Sequence, residues 1–348
     1  MARKPYRVET SIPTKGKPRF FLVRDVKVGD RKSKVRKYLG LEVPTAEKLE
    51  KIRREVAPEM ELRTAILRAK LTIPTLRTRF LSYDVLKQLE EVRSIHNSVL
   101  DLLTADEIRA YEEQFELNYV AGTTSIEGNT LTTREAIDLL EFGKTPKGKA
   151  LREINEVQNF KQVIAYRQNY KRRITLEFIR RLHGFILTNI DSDSAGFFRR
   201  ADDVGIRGSD LRVSPALLIE QELQEAIDRF YDELERGFHP FESAVLFHHR
   251  FEAIHPFNDG NGRVGREVFN FMLARTKYPR LLFLGAERST YIDALRAGDD
   301  EDQASMVQAF AEIIVAQRLE VLRARLAQLA GARKPSGQKR ITDFVAME

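Results

Sequence analysis

The sequence has no cysteine among its 348 residues. That excludes disulfide frameworks, thiolate metal centres and a cysteine nucleophile, and it is compatible with a reducing compartment. No stretch approaches the roughly 20 uninterrupted apolar residues that a membrane-spanning helix needs, so no membrane partner is expected. The basic N-terminus, MARKPYRVETSIPTKGK, has no apolar run behind it and lacks the form of a secretory signal. These absences predict a soluble, cytoplasmic protein. No internal repeat is visible. What remains is a globular composition, 42% hydrophobic and 31% charged, long enough for one large domain or two modest ones. The formal charge of +7 is mild for this length; it suits an anionic nucleotide, an acidic protein or nucleic acid and selects none of them.

Residues 1–45 stand apart. Two short apolar and β-branched runs, from Arg19 and from Lys34, flank Gly29-Asp30, a pattern that predicts a β-hairpin. Its polar positions are mostly Lys and Arg, so much of the charge excess is local. One reading is a nucleic-acid contact; the plainer one is a solvated edge hairpin whose lysines discourage edge-to-edge pairing. From Thr45, a plausible N-cap, the chain reads as helices. Leu86, Leu89, Val92, Ile95 and Val99 recur at helical spacing, Thr104-Ala-Asp-Glu has the form of a capping box, and helical periodicity runs through 154–170, 176–187, 217–236, 241–254, 262–276 and 304–329. Only 197–214 breaks it, reading as a short hairpin or flap. The expected fold is therefore mainly α with small β appendages. The expected organisation is a basic hairpin segment over 1–45, a helical region over 46–105, a main domain over 106–330 and a flexible tail over 331–348.

The most informative stretch is His255-Pro-Phe-Asn-Asp-Gly-Asn-Gly-Arg-Val-Gly-Arg266. Ala244, Phe247, His248, Phe251 and Ile254 share one helical face, Pro256 ends that helix, and a second helix opens near Gly262. A glycine-rich loop at a helix N-terminus offers free N–H groups and the positive end of a dipole, which together make an anion site. Arg263 and Arg266 lie on one face of the first turn. Two guanidiniums there oppose the dipole unless an anion is present, and a broken local rule of this kind marks a functional site. Asp259 is suited to hold a divalent metal against phosphates, and His255 is a candidate base. Phe257 reads as a core anchor and His248 as a buried, satisfied histidine.

This stretch resembles the Fic family of AMP-transferases, whose motif His-x-Phe-x-(Asp/Glu)-Gly-Asn-Gly-Arg-x-x-Arg is met at every fixed position. The resemblance extends more weakly over about 111–317, and it implies a Fic-type helical core. It implies that His255 deprotonates a Ser, Thr or Tyr hydroxyl of a target protein, which attacks the α-phosphorus of ATP. Asp259 would hold Mg²⁺ or Mn²⁺, Gly260, Asn261 and Gly262 would form the anion hole, and Arg263 and Arg266 would grip the β/γ end. Gly205, Ile206, Arg207 and Gly208 match the family's flap, which pairs with an extended target segment. Tyr291 resembles an element lining the nucleobase pocket, although a tyrosine at that spacing is as readily core. Thr123, Glu127 and Gly128 resemble the inhibitory motif (Ser/Thr)-x-x-x-Glu-(Gly/Asn), which implies that Glu127 pairs with Arg266 in place of the γ-phosphate. Some relatives use this glutamate to remove AMP as well, and relatives with it on the N-terminal side often dimerise. As plain structure, Gly128 ends one helix and 129–133 caps the next. Another nucleotide donor and a non-catalytic nucleotide-sensing module remain open beside the transferase reading. In the tail, Gln338, Ile341 and Phe344 resemble a sliding-clamp binding peptide, from which Val345 departs.

Overall fold

The computed structural model describes residues 6–202, 205 and 213–331. The tail positions Gln338, Ile341 and Phe344 and the flap positions Ile206, Arg207 and Gly208 lie outside the described residues. So does half of the 197–214 hairpin; its described residues contain no strand.

The predicted hairpin is present, with Gly29 at φ +55° in its turn, and it is one strand larger than expected. Strands β1 (Arg7–Ser11), β2 (Arg19–Val28) and β3 (Arg31–Gly40) form an antiparallel sheet in the order β1-β2-β3. The sequence of β1, Arg-Val-Glu-Thr-Ser, has a single apolar residue; its pairing with β2 makes it a strand. One face of the sheet buries Leu22, Val26 and Val35 toward helix α1 (Ala46–Thr72), where Met60 is fully buried. Arg24 pairs with Glu61, and Lys37 with Glu59 at 2.6 Å, tying the sheet to the same helix. Thr45 caps α1 as predicted, accepting a hydrogen bond from the Lys48 amide.

The remaining helices are α2 (Tyr83–Leu100), α3 (Ala105–Ile126), α4 (Thr133–Phe142), α5 (Leu151–Gln158), α6 (Phe160–Asn169), α7 (Leu176–Ile186), α8 (Ile219–Glu235), α9 (Pro240–Ile254), α10 (Asn261–Arg275), α11 (Arg288–Asp299) and α12 (Gln303–Gly331). Both Thr104 and Thr132 form capping boxes, with Glu107 and Glu135. The periodicity over 154–170 predicts one helix; two are found, separated at Asn159, whose side-chain amide donates to the carbonyls of Ile186 (2.9 Å) and Thr188 (2.7 Å) at the end of α7. α2 is shared between two cores. Val92, Ile95 and Val99 pack with Ala65 of α1 and with Leu319, Leu322 and Leu326 of α12, whereas Leu89 belongs to the main core around α9 and α10.

The segment joining α1 to α2 is pinned to the main core by buried acids. The Glu242 carboxylate, fully buried in α9, accepts from the amides of Arg79, Phe80 and Leu81, and the Arg79 guanidinium makes a bidentate pair with Glu233 of α8. Among the described residues no helix is long and apolar enough to cross a membrane.

Candidate active site

Helices α9 and α10 lie side by side and the loop 255–260 joins them. They pack closely because Gly265 has no side chain: a Cβ there would meet the Phe251 ring at 2.9 Å and the Glu252 carboxylate at 2.3 Å. His255 caps α9 in the left-handed region at φ +50°, a conformation that costs a non-glycine residue energy and recurs at functional positions. Two side chains outside the loop hold it there. Arg199 is buried and donates to the carbonyls of His255 (2.8 Å), Ile254 (3.2 Å), Ala201 (2.9 Å) and Ser214, while its amide donates to Pro256 (2.9 Å). His183 of α7 stacks on Phe257 at 3.7 Å and hydrogen-bonds the Asp259 carbonyl through Nε2 at 3.0 Å. Its Nδ1 accepts from the Gly196 amide, so Nε2 is the protonated nitrogen; burial lowers its pKa to about 4 and keeps the ring neutral. Asn261 closes the loop from within, exchanging hydrogen bonds with the Phe257 amide (2.9 Å) and carbonyl (2.7 Å). Gly260, at φ +79°, turns the chain into α10 and leaves the first amides of that helix without partners inside the helix.

On this scaffold His255 is half-buried. Its Nδ1 lies 3.3 Å from the Glu252 carbonyl. Burial lowers its pKa below 6.5, partly offset by that hydrogen bond, and the Arg199 charge lowers it further. Nδ1 donating to a carbonyl leaves Nε2 with a lone pair, the state a general base needs near neutral pH.

Arg263 and Arg266 are both buried and both face carboxylates. Arg266 Nη2 donates to Glu127 Oε1 at 2.6 Å and to the Thr123 carbonyl at 3.0 Å, and Nε donates to Thr123 Oγ1 at 2.8 Å. Glu127 caps α3 and Gly128 follows it at φ +97°, so the helix end that presents the acid is also the helix stop. Burial works against the Glu127 charge, but Arg266 and then Arg263 outweigh it and lower its pKa. Arg288, absent from the sequence reading, holds this helix end by donating to the Ile126 carbonyl at 3.0 Å. Gly262 admits the carboxylate: a Cβ there would sit 2.3 Å from Glu127 Oε1.

Asp259 lies on the other side, its carboxylate 41% exposed. It accepts from the Gly260 amide (2.6 Å), Arg263 (3.1 Å) and Arg152 of α5. Burial opposes its ionisation, but Arg263, that amide and Arg152 lower its pKa. Among the described residues no group of three or more His, Cys, Asp or Glu stands ready to hold a metal. A single exposed carboxylate fits Mg²⁺ in the mode where phosphates and water supply the other ligands.

Two further placements bear on the expectations. Tyr291 is buried, its OH 2.9 Å from His248 Nε2 and its ring against His248, Phe283 and Phe310, so it stands in the core behind Arg266. His248 is fully buried on that same bond. Glu252, one turn before His255, was not anticipated; burial, only partly offset by Arg266, raises its pKa to about 8.

Residues 173–273 match the Fic/DOC family profile. The chain is 29% identical over 231 residues to protein adenylyltransferase fic-1 of Caenorhabditis briggsae, covering 65% of this chain and 45% of the relative. It is 30% identical over 239 residues to protein adenylyltransferase Fic of Drosophila ananassae, covering 66% and 47%. The chain thus spans about half the length of the curated relatives it matches. Among solved structures, a segment of Fic-1 from C. elegans superposes with a TM-score of 0.62 at 24% identity, covering 80% of this chain and 85% of that one. A Fic domain containing signaling protein from Bacteroides thetaiotaomicron gives 0.58 at 24% identity, covering 72% and 100%. At these identities the structures establish a shared fold.

Proposed function

We propose that this chain, a member of the Fic/DOC family through residues 173–273, transfers AMP from ATP to a protein hydroxyl and is held back by its own Glu127. Relatives that carry the adenylyltransferase name support the chemistry. The observation that carries the brake is the Glu127–Arg266 pair, at 2.6 Å, beside the N-terminus of α10.

In the transfer step a target hydroxyl oxygen forms a bond to the α-phosphorus, the bond to the β-phosphate bridge breaks, and pyrophosphate leaves. The hydroxyl proton goes to Nε2 of His255. The first amides of α10, from Asn261, Gly262 and Arg263, suit the charge that develops on the phosphate oxygens. A bound Mg²⁺ on Asp259 would neutralise part of that charge. Arg266 can serve a phosphate only when Glu127 lets go, because the carboxylate uses the same guanidinium edge. Removal of AMP would run on the same groups, with water in place of the hydroxyl and Glu127 orienting it.

Label transfer from α-labelled ATP with Mg²⁺, on the purified chain and in lysate, tests the reading. Glu127→Gly should label far more than wild type, and Glu127→Gly with His255→Ala should not. Nucleotide binding without transfer by any of the three would favour a sensor, or a donor other than ATP. As partners beyond the target protein, the tail residues Gln338, Ile341 and Phe344 suit a sliding clamp. Unchanged clamp binding by Phe344→Ala would remove that partner.

A further inference from the structure

We propose that the solvent face of the N-terminal sheet binds nucleic acid, single strands more tightly than duplex. The first observation is where the charge sits. Residues 1–45 hold thirteen Lys and Arg against four Asp and Glu, a net +9, so the other 303 residues carry −2. The basic character of the protein is therefore the property of this one segment.

The register shows how that charge is displayed. On the face away from α1, Val23 pairs with Arg36, Asp25 with Lys34, Lys27 with Lys32 and Phe21 with Tyr38, while Arg7 and Glu9 lie opposite Val23 and Phe21. Glu9 neutralises part of the face, drawing in Lys34 and Arg36 at 2.8 Å and Arg7 at 3.1 Å. Lys27 and Lys32 are different. Both are exposed, they stand directly opposite each other, and neither has an acidic partner among the described residues. Like charges at directly paired positions destabilise a sheet, so the pair makes sense when an anion bridges it. Guarding a free edge accounts for lysines on β3 and on the stretch of β2 beyond Val23 that β1 leaves unpaired, but it does not require two of them to stand directly opposite each other.

The aromatic pair narrows the partner. Phe21 and Tyr38 touch across the strands with centroids 5.4 Å apart, and Tyr38 is 51% exposed in the same row of residues. Cations that meet phosphates, interleaved with an exposed ring on which a base can stack, are the two components of single-strand recognition. No residue of this face belongs to the loop site, so the inference stands apart from the transfer reading.

The test is fluorescence anisotropy of the full chain with labelled oligonucleotides of about 20 residues, single-stranded and duplex, over roughly 50 to 200 mM KCl. With about five phosphate contacts, single-strand affinity should fall ~100-fold across that range. Lys27→Gln with Lys32→Gln relieves the like-charge pair, so the melting temperature should hold or rise. Single-strand affinity at low salt should drop about tenfold and the salt slope by about 1.4, two contacts' worth. Tyr38→Ala should cost single strands about fivefold or more and duplex little. Absence of binding at low salt, or a double glutamine variant with unchanged affinity and slope, overturns the proposal. So does binding to phosphatidylserine vesicles without binding to oligonucleotides, and tighter binding to duplex than to single strands overturns the stacking role of Tyr38.

Discussion

Arg263 and Arg266 leave the same turn of α10 three residues apart, and they live in different conditions. Arg266 is held on one edge: Nε and Nη2 are spent on Thr123 and Glu127, and the guanidinium is 1% exposed. Arg263 is as buried but less satisfied. Its Nη1 lies 3.3 Å from Glu156, yet neither Nη1 nor Nε makes an aligned hydrogen bond, and its other acid, Asp259, is shared with Arg152 and open to solvent. An unsatisfied buried donor is a place where a ligand gains most. The helix N-terminus is thus closed on the Glu127 side and less satisfied on the Asp259 side, and under the proposed function an incoming triphosphate would have to break the first to use the second.

Breaking the closed side gives the largest effects. A hydrogen bond between charged groups contributes about 1.5–3 kcal/mol, so Glu127→Gly should raise transfer by roughly 10- to 100-fold in the labelling assay. The same change leaves Arg266 buried with only Thr123 to satisfy it. Glu127 is 36% exposed, so the pair is only half-buried and losing the acid costs on the order of 1.5–3 kcal/mol; the variant should melt a few degrees below wild type in the absence of nucleotide. Saturating ATP should restore most of that loss, because a phosphate refills the place of the carboxylate. A variant that melts as wild type and ignores ATP would show that Arg266 does not depend on its acid.

Thr123→Val sharpens the comparison by attacking the same arginine from the other end. It keeps the shape and removes the Oγ1 acceptor of Nε, at a cost of about 1–2 kcal/mol. The Glu127 contact survives, so basal transfer should rise far less than in Glu127→Gly. An equal rise would mean that Thr123 positions the brake.

The pH dependence separates the acid from the base. The folded pKa of Glu127 is depressed below 4.5, so its pair contributes fully above that value and is lost only as pH falls through the lower one. The brake should hold unchanged across about pH 5 to 8. His255 also titrates below its ordinary 6.5, and there protonation removes the base. In the Glu127→Gly background, transfer should be level near neutrality and decline, approaching tenfold per unit, only below 6.5. A decline beginning above neutrality would place another group in control.

The contrast also explains what could be read from the chain in order. The loop from His255 to Arg266 was legible because its histidine, acid, glycines and arginines are consecutive, and Glu127 because it sits inside a recognisable string. The fold class followed from 3.6-residue periodicity and from threonine caps, which act locally. The supports were not legible. Arg199 and His183 reach the loop from 56 and 76 residues away, and Arg152 meets Asp259 across 107, with no spacing to announce any of them. The third strand was missed because its residues are polar and only its neighbour makes it a strand. For Tyr291, helical spacing serves a core ring and a pocket wall equally, and burial against His248 and Phe310 can be read only in three dimensions.

The Asp259 side yields the smallest effect, and its size follows from exposure. Arg152 is 57% exposed and Asp259 41%, so their pair lies in high dielectric, where such contacts contribute about 0.2–1 kcal/mol. Before a cation can use the Asp259 carboxylate it has to displace this guanidinium. Arg152→Ala should therefore lower the Mg²⁺ concentration for half-maximal nucleotide binding by about two- to fivefold, read by calorimetry in the Glu127→Gly background. Because Arg263 still faces Asp259 from the buried side, affinity in the absence of metal should barely change. If metal dependence is unaltered and nucleotide binding itself weakens, Arg152 holds phosphate directly. The open side would then supply a third arginine to the proposed anion site rather than a gate on the proposed metal.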